Sequence, residues 1–478
     1  MRKLRRSPGA ATYGSIPPWG ETGNGEVARL GKFGEVGGTS AVRGLLVFAV
    51  VFAALPVALF YPFIGFLLWE WISFMSPHRE AFGLASSFSF NFYIAVVTVM
   101  AWVFSLEPKT LPSQIMPVLL VAFALLTSAT TFFALEHTAA FELWNTHIKT
   151  FALALVVMVM VNSRLRVQAF IWVAAVSVGD YAVKGAGFVL LTGSIGSRVF
   201  GPDNTMIADN NNLGLAMVMM LPIINYLRIS SANRYIQLGC WIAIGMTIVA
   251  IVGTYSRGGF VGLVVVGFAF FLLSKHKVVS LIVAGVVGAT IFATAPQDWK
   301  DRMLGISNYE QDASAQGRIE AWQTSWNLAV DRPLVGGGFA AIEQKSVSSR
   351  YRPGSQAVAR APHSIYFQVL GDHGFVGLFL YLTIALVAIA NLFRIQAWTR
   401  GRDDLEWANV LSRMLLISYA GFLMAGSFLS MAYYDVFLCF IALSVSLREI
   451  VRKQLEDSAE AERTDLIPVG GVTATTGK

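Results

Sequence analysis

Apolar residues run in long blocks between residues 42 and 447, and short stretches rich in Lys, Arg, Pro and Gly separate them. A membrane-crossing helix needs about 20 predominantly apolar residues, and thirteen blocks approach that length. The pattern predicts an all-α, polytopic membrane protein. The block at 42–76 is ambiguous, because Pro56 and Pro62 divide it into two short spans or one span plus a re-entrant piece. The pattern breaks at 297–363, a stretch with eight basic and seven acidic residues. Within it, 314–330 carries Ile319, Trp322, Trp326 and Ala329 at helical spacing, which predicts an amphipathic helix. Asp331-Arg332-Pro333 should end that helix, and Gly336-Gly337-Gly338 should turn the chain.

Composition strengthens this reading. Of 478 residues, 55% are apolar and only 14% charged, against about 25% charged in a soluble domain. The charges collect in 1–43, 297–363, 394–413 and 448–478. The net charge of +7 therefore reflects the positive-inside bias of membrane loops and not a nucleic-acid partner. Arg164/Arg166, Arg228/Arg234, Lys275/Lys277 and Arg394/Arg400/Arg402 recur at alternate connections, which assigns these and the Arg448–Lys453 region to the cytoplasm. The segments 193–211, 254–258 and 297–363 then face outward. The basic 1–40 tail is also expected in the cytoplasm, which calls for an even number of spans, about twelve. The resulting organisation is a disordered tail at 1–40, a transmembrane bundle at 41–296 and an outer loop at 297–363. Transmembrane helices at 364–447 and a disordered tail at 448–478 complete it.

Cys240 and Cys439 lie in apolar runs without a CxxC or Cys/His cluster, which gives no support for a disulfide or zinc site. No Walker lysine loop, DxD, GxSxG or HExxH is present. The expectation is an enzyme without cofactor or metal, acting on a preactivated, lipid-borne substrate.

Several residues stand out for their chemistry. Arg257 interrupts an almost wholly apolar stretch in Ser256-Arg257-Gly258-Gly259. A guanidinium suits a pair of phosphate oxygens, although an arginine snorkelling at a span end has the same pattern. His363 follows Pro362 at the expected start of a helix. There the positive end of the dipole favours a neutral imidazole able to take a proton, and a capping histidine would look alike. Arg318 sits on the predicted loop helix near Trp322, where it reads as either a lipid-phosphate ligand or a solvated charge. Asp209 with Asn210, Asn211 and Asn212 forms a polar cluster that suits sugar hydroxyls or an N-cap. Asp180 and Lys184 are spaced as an intramembrane i,i+4 pair, and Glu70 stands alone among apolar residues. His373, beside Asp372, lies ten residues beyond His363, deeper on the same helix or at a kink near Gly371 and Gly374.

Three blocks carry a family resemblance. Thr254-Tyr255-Ser256-Arg257-Gly258-Gly259-Phe260 resembles the span-end S-R-G signature of the O-antigen ligase and polysaccharide polymerase superfamily. Gly317-Arg318, Trp322, Arg332-Pro333-Leu334 and Gly336-Gly337-Gly338-Phe339 are similar to its loop pattern. His363-Ser364-Ile365-Tyr366, followed by Gly371-Asp372-His373-Gly374 and Gly377, resembles its third block. Ser76-Pro77-His78-Arg79, Asn162-Ser163-Arg164, Gly201-Pro202 and Asp312-Ala313-Ser314-Ala315 extend the likeness to one branch, the O-glycosylation ligases associated with the exosortase A system.

The resemblance implies a bacterial inner-membrane, multi-pass enzyme that takes a glycan from undecaprenyl diphosphate on the periplasmic side. The acceptor hydroxyl would belong to a glycan or to a protein Ser or Thr. By the same likeness His363 is the base, and Arg257 and Arg318 hold the lipid diphosphate. Tyr255, Ser256, Gly258, Asp209, Asn211, Lys184, Asp180 and His373 are supporting residues. Two other readings are an exopolysaccharide polymerase of the same superfamily and a lipid-linked glycan transporter or flippase. In the last, Asp180, Lys184 and Glu70 would be the coupling residues.

Overall fold

The computed structural model describes residues 37–81, 84–193, 197–304, 313–352 and 359–465. The described residues are helical, without strands. The first group comprises α1 (Gly37–Phe60), α2 (Pro62–Met75), the short α3 (Leu84–Ser87) and α4 (Phe90–Phe104). The bundle continues with α5 (Ile115–Phe132), α6 (His137–Met160), α7 (Arg164–Thr192) and α8 (Asn210–Ser230). Next come α9 (Arg234–Gly253), α10 (Arg257–Leu273) and α11 (Lys277–Thr294). The long loop holds α12 (Gln297–Leu304), α13 (Ala313–Asp331) and α14 (Lys345–Tyr351). The chain returns through α15 (Ile365–Trp398), α16 (Glu406–Gly426) and α17 (Asp435–Asp465). The expected loop helix is α13. Most of the 1–40 tail, Asp312 and residues 466–478 lie outside the described residues.

Among the described residues, nine helices are long and apolar enough to cross a membrane, and α2, α4 and α10 are shorter apolar helices. With α17, whose stretch from Val436 to Leu447 is buried, thirteen apolar helices follow one another. The 42–76 block forms two antiparallel helices. Tyr61 reverses the chain, and Pro62 starts α2 at a position where a missing N–H costs nothing. Gly65 lies against α1, where an added Cβ would come within 2.9 Å of Ala58 Cβ. Phe48 packs on Phe90 at 4.9 Å, close to the His78 ring. The start of α1 therefore sits at the bundle end that carries the long loop, opposite to the end of α17. The expectation of about twelve spans had assumed both tails on one side, and this alternation does not reproduce it.

The helices start where the sequence caps them. Ser163 Oγ accepts from Arg166 N, Asp209 Oδ1 from Asn211 N, and Ser256 Oγ from Gly259 N at 3.0 Å. At the centre, α8 packs on α9, α10 and α16. Small residues let these backbones approach: a Cβ on Gly262 would meet Ala425 Cβ at 3.0 Å, and one on Gly421 would meet Val266 at 2.9 Å. By contrast, α11 buries no residue, and its apolar surface is left to lipid.

Charges inside the bundle are mostly paired. Lys184 Nζ lies 2.6 Å from Asp180 and 2.7 Å from Glu80. Arg166 grips Glu107 with two bonds of 2.8 Å. Glu70 is fully buried, and neither of its oxygens has a hydrogen-bond partner among the described residues.

Candidate active site

Three helix N-termini, those of α8, α10 and α15, are brought to one end of the bundle. Asn210, the first residue of α8, donates from Nδ2 to Thr254 O at 2.6 Å. That bond ties the α8 start to the Thr254-Tyr255-Ser256 turn. Tyr255 takes a left-handed conformation at φ 56°, which directs Ser256 into the N-cap of α10 and makes Arg257 its first residue. Gly258 rests against the turn that follows α16, 3.5 Å from Ala425 O and Phe428 Cβ for an added Cβ. In the same turn, Ser430 Oγ accepts from His363 N at 2.9 Å. The Arg257 helix start and the His363 backbone thus share one support. The N-terminus of a helix offers unsatisfied N–H groups and a positive dipole end to an anion, and here three such termini meet.

The long loop folds over this end. Arg257 Nε donates to Arg302 O at 3.0 Å, and Arg302 Nε donates to Tyr255 O at 3.0 Å, a reciprocal pair that holds α12 on α10. Trp299 meets Phe260 edge-on at 5.7 Å, and the Arg198 guanidinium lies 5.9 Å from the Tyr255 ring centre. On the other side, Trp322 of α13 donates to Pro362 O at 2.7 Å and stacks on Phe367 at 5.1 Å. This fixes α13, and Arg318 with it, beside the His363 turn. Arg360 crosses Gly317 so closely that a Cβ there would fall 1.6 Å from Nη1. Gly317 is therefore a seat for a guanidinium.

His363 is half-buried, with φ 45°. Burial lowers its pKa from 6.5 to about 4, Arg318 and Arg360 push the same way, and Asp209 pulls it back up. The sign matters for chemistry. A histidine with a depressed pKa is neutral at physiological pH and able to accept a proton. Asp209, the N-cap of α8, is held by Asn211 N and Asn211 Nδ2 at 2.8 and 2.9 Å and lies near enough to stabilise the imidazolium that would form.

Of the residues expected from the sequence, Arg257, Tyr255, Ser256, Gly258, Asp209, Asn211, Arg318 and His363 are gathered at this end. Lys184 and Asp180 are not part of the group. They form a triad with Glu80, and the ring beside Lys184 is that of Tyr181. His373 is fully buried at the kink of α15, with Nδ1 2.7 Å from Thr130 Oγ1 and its ring among Phe123, Phe339 and Tyr433, apart from this group. The sequence reading passed over Arg360, Arg302, Arg198 and Ser430. Only Arg360 carried a local signal, three residues before His363. The rest arrive through long-range contacts.

The α15 kink explains how the loop is held. Gly374 breaks the helix with φ 68°, which frees backbone groups for the Gly336–Phe339 turn. Gly337 N donates to Gly371 O and Gly338 N to Asp372 O, each at 2.9 Å, and Phe375 N donates to Pro333 O at 2.8 Å. Asp372 Oδ1 accepts from Ala340 N and Oδ2 from Tyr433 OH, each at 3.0 Å. A Cβ on Gly374 would lie 2.5 Å from Pro333 O, and one on Gly336 would strike the Gly374 backbone at 2.6 Å, so both glycines are needed for this interlock. Asp372→Ala would remove both of the bonds it accepts, from Ala340 N and Tyr433 OH, at about 0.5–1.5 kcal/mol each. It is expected to lower the melting temperature in detergent and to expose the loop to limited proteolysis.

Among the described residues, no group of three or more His, Cys, Asp or Glu side chains is placed to hold a metal ion. The polar groups at the site include arginines, hydroxyls, the amides of Asn210 and Asn211, the Asp209 carboxylate and the His363 imidazole, a set suited to a phosphorylated substrate.

Residues 242–382 match the family model of the O-antigen ligases, and residues 42–232 match a family of unknown function (DUF5935). No curated protein matches the chain. The first match runs from α9 into α15 and contains Arg257, Arg318 and His363. It makes this segment of the multi-pass helical protein similar to the O-antigen ligases. The second match contains Asp180, Lys184 and Asp209.

Proposed function

We propose that this protein transfers a glycan from undecaprenyl diphosphate to an acceptor hydroxyl at the periplasmic face of the bacterial inner membrane, as an O-glycosylation ligase. The observation that carries the reading is a neutral His363 with Arg318 and Arg360 close enough to act on it, at the bundle end where Arg257 starts α10 and the N-termini of α8 and α15 also lie. Such a site stabilises negative charge and accepts one proton, the two requirements of displacement at an anomeric carbon by an alcohol.

In the proposed reaction, His363 takes the acceptor hydroxyl proton as that oxygen attacks the anomeric carbon from the face opposite the diphosphate. The bond from the anomeric carbon to the diphosphate oxygen breaks, and the electron pair leaves with undecaprenyl diphosphate. One bond forms and one breaks at the same carbon, so its configuration inverts. The arginines and helix termini meet the charge that grows on the diphosphate, where preorganised donors act most strongly. Asp209 offsets the positive charge of protonated His363. A metal ion has no assigned role in these steps, and turnover is expected to survive chelation of divalent cations.

The test is a reconstituted assay with undecaprenyl-diphosphate glycan in which protein, lipid and glycan acceptors are offered in parallel. Transfer to a protein Ser or Thr, with inverted configuration and in the presence of EDTA, is the expected result. Transfer only to a second lipid-linked glycan would make the protein a polymerase of the same superfamily. Movement of the donor across the bilayer without any transfer would make it a transporter, and the transfer reading would fail.

A further inference from the structure

At the end of α15 opposite His363, the last turns of α15 and the first turns of α16 flank a half-open pocket of about 230 Å³ lined by Phe393, Gln396, Ala397, Arg400, Asn409 and Arg413. Its charge balance is unusual for this surface. Arg402 pairs with Asp404 at 3.0 Å, and Arg452 pairs with Glu449 and Glu456. Arg400 and Arg413 come from different elements and converge on the cavity, yet among the described residues neither is bonded to a carboxylate. The polar floor is fixed: Asn409 Nδ2 donates to Thr399 Oγ1 at 2.7 Å and reaches Gln396 O at 3.4 Å. The hairpin that carries the two guanidiniums is therefore tied across its base.

The apolar side of the cavity continues into the membrane. Phe379, Leu386 and Phe393 are 72%, 65% and 59% exposed. Their spacing of seven residues puts them on one stripe of α15, and Arg400 follows at the same interval. A stripe of exposed apolar side chains that ends in a two-arginine pocket matches an acyl chain joined to an anionic head. A soluble anion would meet the arginines but gain nothing from Phe393 and the stripe beyond it.

We infer that this pocket binds the phosphate of an anionic phospholipid, with the headgroup between Arg400 and Arg413 and an acyl chain along the Phe379–Phe393 stripe. The two planar forks can each grip a phosphate oxygen pair. Basic pockets between transmembrane helices are suited to such headgroups.

The test uses the full-length protein in nanodiscs or detergent, titrated with phosphatidylglycerol, phosphatidylcholine and inorganic phosphate and read by native mass spectrometry. Wild type is expected to retain phosphatidylglycerol over phosphatidylcholine by about tenfold or more. The double variant Arg400→Gln/Arg413→Gln should lose that preference. The control Arg402→Gln/Arg452→Gln removes as much charge outside the pocket and should keep it. Arg400, Arg413 and Arg452 are exposed and Arg402 is half-buried, and an unchanged melting curve verifies folding of both variants. An equal loss in the control would mean diffuse surface attraction, and competition by inorganic phosphate at the same concentration as the lipid would mean a soluble-anion site. Either outcome, or retention in the double variant, overturns the proposal.

Discussion

Replacing His363 with asparagine is expected to lower glycan transfer by about 10²–10⁴-fold, the range a general base contributes, while the protein stays folded. Asparagine is the informative replacement, because it tolerates the left-handed backbone found at φ 45°. It also leaves the main-chain bond to Ser430 Oγ intact, so the loss would report proton transfer and not a disturbed turn. The pH profile gives a second signature. A protonated His363 cannot accept the acceptor's proton, so the rate falls as pH drops through its pKa. With that pKa lowered to about 4, kcat/KM should be level across neutral pH and fall only in acid. Bound diphosphate counters Arg318 and Arg360 and favours the imidazolium. The acid limb of kcat should therefore lie at higher pH than that of kcat/KM, and neither limb should persist in His363→Asn.

Arg257→Lys is expected to cost about 10²–10³-fold in kcat, the effect of removing one preorganised donor to developing charge. The substitution keeps the positive charge, so any reading in which Arg257 is a simple counter-charge predicts a mild effect. The structure gives a reason for a severe one. Arg257 Nε is spent on Arg302 O, which fixes the plane of the guanidinium and holds α12 against α10. A lysine has no second nitrogen to serve both partners. Because charge on the diphosphate grows toward the transition state, kcat should fall more than KM rises. Arg302→Ala, which loses the reciprocal bond to Tyr255 O, should give a weaker effect in the same direction.

The membrane helices were legible in the sequence because each is a block of apolar residues with a cap or a basic residue at its end. Pro62 marked the break between α1 and α2, and Asp209 marked the start of α8. The number of crossings was not legible, since the basic tail argued for one side while the antiparallel packing of α1 on α2 argues for the other. The grouping of the candidate residues was legible at Arg257, Arg318 and His363, where a charged or titratable group interrupts apolar sequence or starts a helix. Arg302 and Ser430 are different. Arg302 lies 45 residues from its Arg257 partner and Ser430 lies 67 from His363, and nothing local separates either from an ordinary loop residue. Asp372 had been read only as a neighbour of His373. Its role in clamping the Gly336–Ala340 turn depends on a left-handed glycine in mid-helix, which periodicity cannot reveal. Asp180 and Lys184 were legible as an i,i+4 pair, but the third member of the triad, Glu80, was not, because it lies on another segment.

The most direct measurement is the release of undecaprenyl diphosphate by purified wild-type and His363→Asn protein in nanodiscs, with donor and acceptor present, alongside donor binding by both. The account predicts equal donor binding, acceptor-dependent release by wild type, and release reduced by about 10²–10⁴-fold in the variant. Release at the wild-type rate by His363→Asn would contradict it.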